Sequence, residues 1–426
     1  MSTLQSLSEE QLSARLGVLE AAYEDYKSRG LKLDMSRGKP GPEQLELSMK
    51  LLDTVDSQTG AKTLKGEETR NYGMLDGIPE MKDMFADVLG VESANVIVGG
   101  NSSLNLMFDY ISQAYSHGVC GHPAWCREEK VKFLCPAPGY DRHFAVTEYF
   151  GIELIAVDMT ENGPDMDQVE RLAADPQVKG IWCVPMYSNP DGITYSDETV
   201  RRLCGMKTGA PDFRIMWDNA YGLHHLTDTP DQLLNVYETA KACGNEDRVM
   251  LFASTSKISF PGAGVAAMAG SPANIADVKN RLSFETIGYD KLNMLRHARY
   301  FGNADGLREH YKQHAAVIRP KFKAVLESLE MHLGGKGIAR WKTPNGGYFV
   351  SVFLLDGCAK ETVRLLKEAG VVMTGAGATY PYGKDPRDSN IRIAPTYPSL
   401  DEVRTAIDMF CVCAELACVR KLLTGR

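Results

Sequence analysis

What most constrains this chain is a series of short apolar runs separated by stretches of helical periodicity. VKFLCP, IELIAVDM, VKGIWCVPMY, RIMWDNAY, VMLFAS and GVAAMAG follow one another between about 130 and 270. Strands that alternate with helices imply an α/β fold with a mostly parallel sheet and helices on both faces. In such a sheet a ligand sits outside the carboxyl ends of the strands. From about 306 onward helix, strand and helix recur around GGYFVSVFLL and NIRIAP, which predicts a second, smaller α/β domain. A length of 426 residues also favours two domains over one core.

The N-terminal segment reads as an amphipathic helix, with Leu4, Leu7, Leu12, Leu16 and Leu19 at helical spacings. LDMSRGKPGP is a turn-rich passage, and RNYGMLDG is a Gly-rich loop before a helix that starts near Ile78. In ANVIVGGNSSLNLMF the period switches: Val96 to Val98 form a buried strand, GGNSS a loop, and Leu104 opens a helix. Strand, small-residue loop and helix is a layout that presents backbone N–H groups to a phosphate.

Composition removes several function classes. No run reaches the roughly 18–20 apolar residues of a membrane span. The N-terminus lacks the basic start and apolar middle of a secretory signal, so a cytoplasmic location is expected. Lys plus Arg number 47 against 55 Asp plus Glu, a net charge of −8, and no basic block appears. Nucleic acid is therefore not an expected partner. The ten cysteines form no CxxC pair, and Cys411 and Cys413 fall in an apolar helix, as buried free thiols do. His224-His225 has no ligand spacing around it, so no metal is expected.

Chemistry enters at the ends of the strand-like runs. VKGIWCVPMY ends at Ser188-Asn189-Pro190, RIMWDN at Asp218-Asn219-Ala220-Tyr221, and VMLFAS at Ser254-Thr255-Ser256-Lys257. One sheet edge thus receives an amide, a carboxylate, a phenol and an amine. Singly they are weak signals: an Asp at a strand end is usually a cap or turn residue, and a Lys there is usually a solvated charge. Their order and spacing carry the information.

Taken together, YSNPDG, WDNAYG and STSK followed by PGAG resemble the signature of fold type I aminotransferases, which depend on pyridoxal 5′-phosphate. RNYGMLDG, GNSSL, CPAPGY, PNGGYF and NIRIAP fall in the expected order, so the resemblance spans nearly the whole chain. SRGKP with STSKISFPGAG is most similar to the aspartate aminotransferase subgroup Ic. The resemblance implies a large domain with a mostly parallel seven-stranded sheet plus a smaller C-terminal α/β domain. The expected division is 1–50 as a helix and arm associated with the small domain, 51–305 as the coenzyme-binding domain, and 306–426 as the small domain.

It further implies that Lys257 holds the coenzyme as a Schiff base and later shuttles a proton. Asp218 would keep the pyridine nitrogen protonated. Asn189 and Tyr221 would hydrogen-bond the phenolic oxygen, and Tyr140 would stack on the ring. Asn101, Ser102, Ser103, Ser254 and Ser256 would cradle the phosphate at a helix start. Tyr72 would reach a partner subunit's phosphate, which implies a homodimer with shared sites. Arg392 would grip the substrate α-carboxylate through a bidentate pair, and Gly38 would let backbone approach the substrate.

One departure stands out. Most relatives of the broader class carry an arginine eight residues after the lysine, and here that position is Val265. For a distal carboxylate, Arg37, Lys291 and Arg296 are candidates, with Arg37 preferred because it adjoins Gly38. The activity implied is transfer of an amino group from an L-amino acid, L-aspartate first, to a 2-oxo acid such as 2-oxoglutarate. Rival readings are an aromatic or broad-specificity aminotransferase or a β-lyase on the same scaffold. A regulatory, non-catalytic domain is a more distant rival, because the roughly 30 residues before SRGKP are too few and too acidic for a DNA-reading module.

Overall fold

The computed structural model describes residues 3–425. Its main sheet runs, in spatial order, Val96–Val98, Ala266–Gly270, Val249–Ser254, Arg214–Asp218, Val178–Cys183, Lys132–Ala137, Glu153–Thr160 and the two-residue Gly163–Pro164. Ala266–Gly270 is antiparallel to both of its neighbours. The five strands from Val249–Ser254 to Glu153–Thr160 are parallel. Seven strands thus make the sheet expected from the sequence, and a short antiparallel edge extends it.

Alternation along each strand explains why the apolar runs are unbroken. Met216, Met250 and Phe252 enter a core beneath the helix Ser103–His117 and the helix Pro272–Glu285. Ile215, Trp217, Val249, Leu251 and Ala253 enter the core on the opposite face. Successive side chains point to opposite faces, so a strand covered on both sides needs apolar residues at every position.

The C-terminal part holds an antiparallel sheet of Ala339–Trp341, Val350–Leu354 and Asn390–Ile393, in which Ser351 pairs with Arg392. The 30-residue helix Ala304–Leu333 packs against the helix Leu400–Thr424. The N-terminal helix, Glu9–Ser28, lies on that same C-terminal helix. Arg15 makes a bidentate pair with the buried Glu415, at 2.6 and 2.8 Å, and Lys336 adds a third contact at 2.6 Å. Leu33–Asp34 then runs parallel to Val371–Val372. The chain's beginning is therefore held by its end.

Local signals account for the boundaries. Ser8 and Gln11 form a capping box, so the first long helix starts at Glu9, and Leu4 lies in a separate single turn, Leu4–Ser6. Leu12 and Leu19 are buried while Leu7 and Leu16 are partly so. Ser399 and Glu402 repeat the capping box at the last helix, where Cys411 and Cys413 are buried as expected. Among the described residues no helix is long and apolar enough to cross a membrane.

Candidate active site

Parallel strands deliver their following loops to one edge, and one pocket opens there. It is lined by Ser102, Ser103, Tyr140, Asn189, Asp218, Tyr221, Ser254, Ser256 and Lys257, with Leu104, Met107, Val184 and Ala220 between them. Nine positions singled out in the sequence therefore meet in space.

At one end, the helix Ser103–His117 points its N-terminus at the pocket. Ser102 caps it, accepting from the Leu104 N–H at 3.2 Å. Ser256 Oγ donates to the Asn101 carbonyl at 2.9 Å, which ties the lysine loop to the glycine-rich loop. Hydroxyls beside a helix N-terminus suit an anion. Lys257 is the one cation among the described residues lining this pocket. Asn101 sits at the rim, exposed, its amide donating to the Gly262 carbonyl at 3.5 Å. Val265 is buried in the core, its backbone tied to Thr255 by bonds of 2.8 and 2.9 Å. A side chain so placed belongs to the fold's interior.

At the other end, Asp218 is buried. One carboxylate oxygen, Oδ2, accepts from His143 Nε2 at 2.9 Å, and the other, Oδ1, has no partner among the described residues. His143 stacks on Trp182 with ring centres 4.4 Å apart and lies edge-on to Tyr140 at 4.9 Å. No sequence motif marks His143, because none of the histidines stands at ligand spacing. Its signal was the three-residue step from Tyr140, which becomes meaningful only once Asp141–Tyr149 is known to be a helix.

Between the two ends lies Lys257, its Nζ 5.1 Å from the Tyr221 ring centre and 5.8 Å from that of Tyr348. Burial holds its ammonium below the ordinary lysine value; Asp218 opposes that shift and Arg392 adds to it. Tyr348 donates to the Lys257 carbonyl at 3.2 Å and receives Gln44 Nε2 at 3.0 Å, which anchors the lysine loop from behind. Burial pushes the Tyr140 hydroxyl up to about 12, with Asp218 and Asp141 adding to it. The Tyr221 hydroxyl is also raised, chiefly by burial. Both phenols are thus neutral donors at neutral pH.

Arg392 reaches this edge from the C-terminal sheet. Its Nη1 donates to Asn189 Oδ1 at 3.1 Å and to Asp141 Oδ1 at 3.0 Å, and its Nη2 donates to Thr374 at 3.3 Å. Nε is buried and has no partner among the described residues. Asn189 commits its carbonyl end to Arg392, so its NH2 is the end left for a bound coenzyme. The Phe349 ring lies beneath the guanidinium, 4.9 Å from it. A Cβ on Gly38 would stand 2.4 Å from that ring, so what Gly38 makes room for is Phe349, a tighter reason for glycine than approach to substrate.

Asn101, Gly38 and Arg392 lie outside the pocket lining, and so do Tyr72, Arg37, Lys291 and Arg296. Tyr72 is 80% exposed. Arg37 is exposed and forms no ion pair among the described residues. Lys291 and Arg296 share the helix Lys291–Phe301, where Lys291 is buried and Arg296 Nε has no partner. That helix abuts the lysine loop through Asn293, which donates to the Ala263 and Gly264 carbonyls at 3.0 Å.

The unspent oxygen of Asp218 tests what the pocket accepts. A buried carboxylate oxygen without a donor is costly, and a protonated ring nitrogen is the partner that answers it. A hydroxyl-rich helix terminus for a phosphate and an amine of reduced basicity for an aldehyde complete the fit. This combination defines a class, the enzymes that move amino groups with pyridoxal 5′-phosphate. Comparison with known proteins narrows it. A family model described as aspartate amino-transferase matches residues 7–426, and the chain belongs to that family. A putative aminotransferase of Mycolicibacterium smegmatis is 50% identical over 424 residues, covering 99% of each chain. The aspartate aminotransferase of Corynebacterium glutamicum is 44% identical over 416 residues, covering 97% of this chain and 96% of that one. The crystal structure of an aspartate transaminase from Corynebacterium glutamicum superposes with a TM-score of 0.96 at 44% identity, covering 99% of each chain. The chain is an aminotransferase of fold type I, and its coenzyme is pyridoxal 5′-phosphate.

Proposed function

We propose that this enzyme takes the amino group of L-aspartate and passes it to 2-oxoglutarate, working as a homodimer. The observation that carries the substrate class is Arg392: buried, in contact with the pocket residue Asn189, and with Nε unspent. The 44% identical relative named for aspartate supports the particular donor.

The coenzyme, when bound, supplies an electron-accepting ring that stabilises charge released at the substrate Cα. Asp218, oriented by His143, keeps the ring nitrogen protonated through its open Oδ1. Ser102, Ser103, Ser254 and Ser256 hold the phosphate, with Asn101 joining the two loops at the rim. Asn189 and Tyr221 donate to the phenolic oxygen, and Tyr140 covers the ring face. Lys257 holds the coenzyme between turnovers. Once released, its amine, which burial biases toward the uncharged form, moves the proton from Cα. Arg392 fixes the α-carboxylate and so orients the bond to be broken. Arg37, exposed beside Gly38, is the proposed reader of the distal carboxylate.

Dimerisation is supported by an apolar patch beside the Tyr72 loop. Tyr72 at 80%, Phe284 at 87% and Ile287 at 61% exposure lie near the close approach of Gly73 to Gly288. Large apolar groups gathered on a surface mark an interface, and Tyr72 from one copy would complete the phosphate site of the other. Residues 1–50 with 306–426 form the proposed small domain and 51–305 the large one, a division supported by the Arg15–Glu415 pair and the Leu33–Val371 pairing.

The test is a half-reaction. Coenzyme-loaded enzyme is mixed with L-aspartate alone, and oxaloacetate is measured per active site. One equivalent, with recovery on adding 2-oxoglutarate, is the expected result. Faster turnover of tyrosine or phenylalanine would replace the substrate assignment, and release of pyruvate, ammonia and sulfide from L-cysteine, whose thiol can leave from Cβ, would establish a lyase.

A further inference from the structure

Arg392 already holds a carboxylate. Asp141 Oδ1 lies 3.0 Å from its Nη1, and the Asp141 side chain is 35% exposed while that of Arg392 is 8% exposed. Asp141 is the first residue of the helix Asp141–Tyr149, directly after Tyr140. An acidic residue is favoured there by the helix dipole alone, but the dipole does not direct it onto a particular guanidinium.

A buried arginine awaiting an anion faces a physical difficulty. Without a counter-charge its desolvation is costly, and a fully satisfied one has no room for substrate. The contacts here split the difference. Nη1 is shared by Asp141 and Asn189, Nη2 touches Thr374, and Nε is left over. An arriving α-carboxylate therefore meets a cation with one negative partner in place, and two carboxylates on one guanidinium repel each other.

We propose that Asp141 is a placeholder: its carboxylate neutralises Arg392 in the substrate-free enzyme and weakens the site's grip on every α-carboxylate ligand. It sets KM upward without touching the reacting atoms. Tight ground-state binding adds nothing to turnover once substrate is abundant, and a resident counter-charge keeps Arg392 in position meanwhile. The proposal rests on the assignment of Arg392 as the α-carboxylate site.

The experiment is calorimetric titration of the coenzyme-loaded enzyme with succinate, which carries carboxylates but no amino group. Wild type, D141N, D141S and R392A are compared, with coenzyme absorbance and melting temperature confirming that each is folded. D141N keeps an oxygen that accepts from Arg392 and removes the charge. It is expected to bind succinate roughly two- to fivefold more tightly, the scale of one partly exposed charge pair, with KM for the amino acid falling in step and kcat not rising. D141S, which also suits a helix start, should act in the same direction. A residue that only positions Arg392 would move affinity the other way, so equal or weaker binding by both variants overturns the placeholder. If R392A binds succinate as wild type does, the assignment of Arg392 falls and takes the placeholder with it. If R392A loses binding while D141N and D141S gain none, the placeholder alone fails.

Discussion

At the scale of single residues, the site depends on groups whose neighbours leave them little freedom. Phe349 is squeezed between Gly38 and Arg392, so a methyl group at position 38 must displace the ring that supports the guanidinium. G38A is expected to destabilise the protein by about 1–3 kcal/mol, the usual cost of overpacking. It should also raise KM for the amino acid more than it lowers kcat, which melting and steady-state kinetics together would check. Asp218 works through a different asymmetry, one oxygen held by His143 and one open. D218N keeps the shape and removes the charge that keeps a ring nitrogen protonated. A loss of roughly 10²–10⁴-fold in kcat is expected, the range for a positioned acid–base partner. Unchanged kcat in single-turnover assays would remove Asp218 from its assigned role.

At the scale of elements, two consecutive helices carry buried histidines whose titration shapes stability. On Lys291–Phe301, burial lowers His297 from 6.5 to about 4, partly opposed by its bond to the Asn293 carbonyl. On Ala304–Leu333, burial and the neighbouring His310 lower His314 from 6.5 to about 3. Both are neutral in the folded state, whereas the unfolded chain protonates them near 6.5. The unfolded state therefore binds more protons between these limits, and stability present above pH 6.5 is lost as pH falls through that window. Melting temperature should drop between pH 6.5 and 5, and less steeply in H314Q than in wild type. Glu415 acts in a lower window. Burial raises its carboxyl, but Arg15 and Lys336 outweigh that and hold it below the ordinary 4.5, so its contribution disappears only in stronger acid. A melting temperature that is flat down to pH 5 would show that the histidines are more accessible than their packing allows.

At the scale of the whole molecule, the prediction concerns assembly. The apolar side chains at Phe284 and Ile287 lie near the loop carrying Tyr72, so in the proposed dimer a second copy covering the patch would bring Tyr72 toward a neighbouring pocket. Light scattering should give about twice the 46.9 kDa chain mass. F284D places a charge in that interface and should shift the population toward monomer at micromolar concentration. Its coenzyme affinity should fall in parallel, because Lys257 is the one cation among the described residues lining the pocket.

Much was legible in the chain before folding. Continuous apolar runs such as RIMWD and VMLFA dictate strands covered on both faces, because alternate residues must all be buried, and this sets a parallel sheet and the edge where its loops converge. Lys257, Asp218, Tyr221 and Asn189 were readable because each lies at or within a few residues of the end of such a strand, where local order along the chain maps onto one edge of the sheet. The relations that cross the chain were not readable. Asp141 on Arg392, His143 on Asp218 and Phe349 against Gly38 join residues 251, 75 and 311 positions apart. Periodicity reports which way a side chain faces within its own element and carries nothing about what it meets from another. The elements and the chemistry at their ends come from local pattern. The partners that tune the chemistry come only from packing, because their pairing is decided by how whole layers dock.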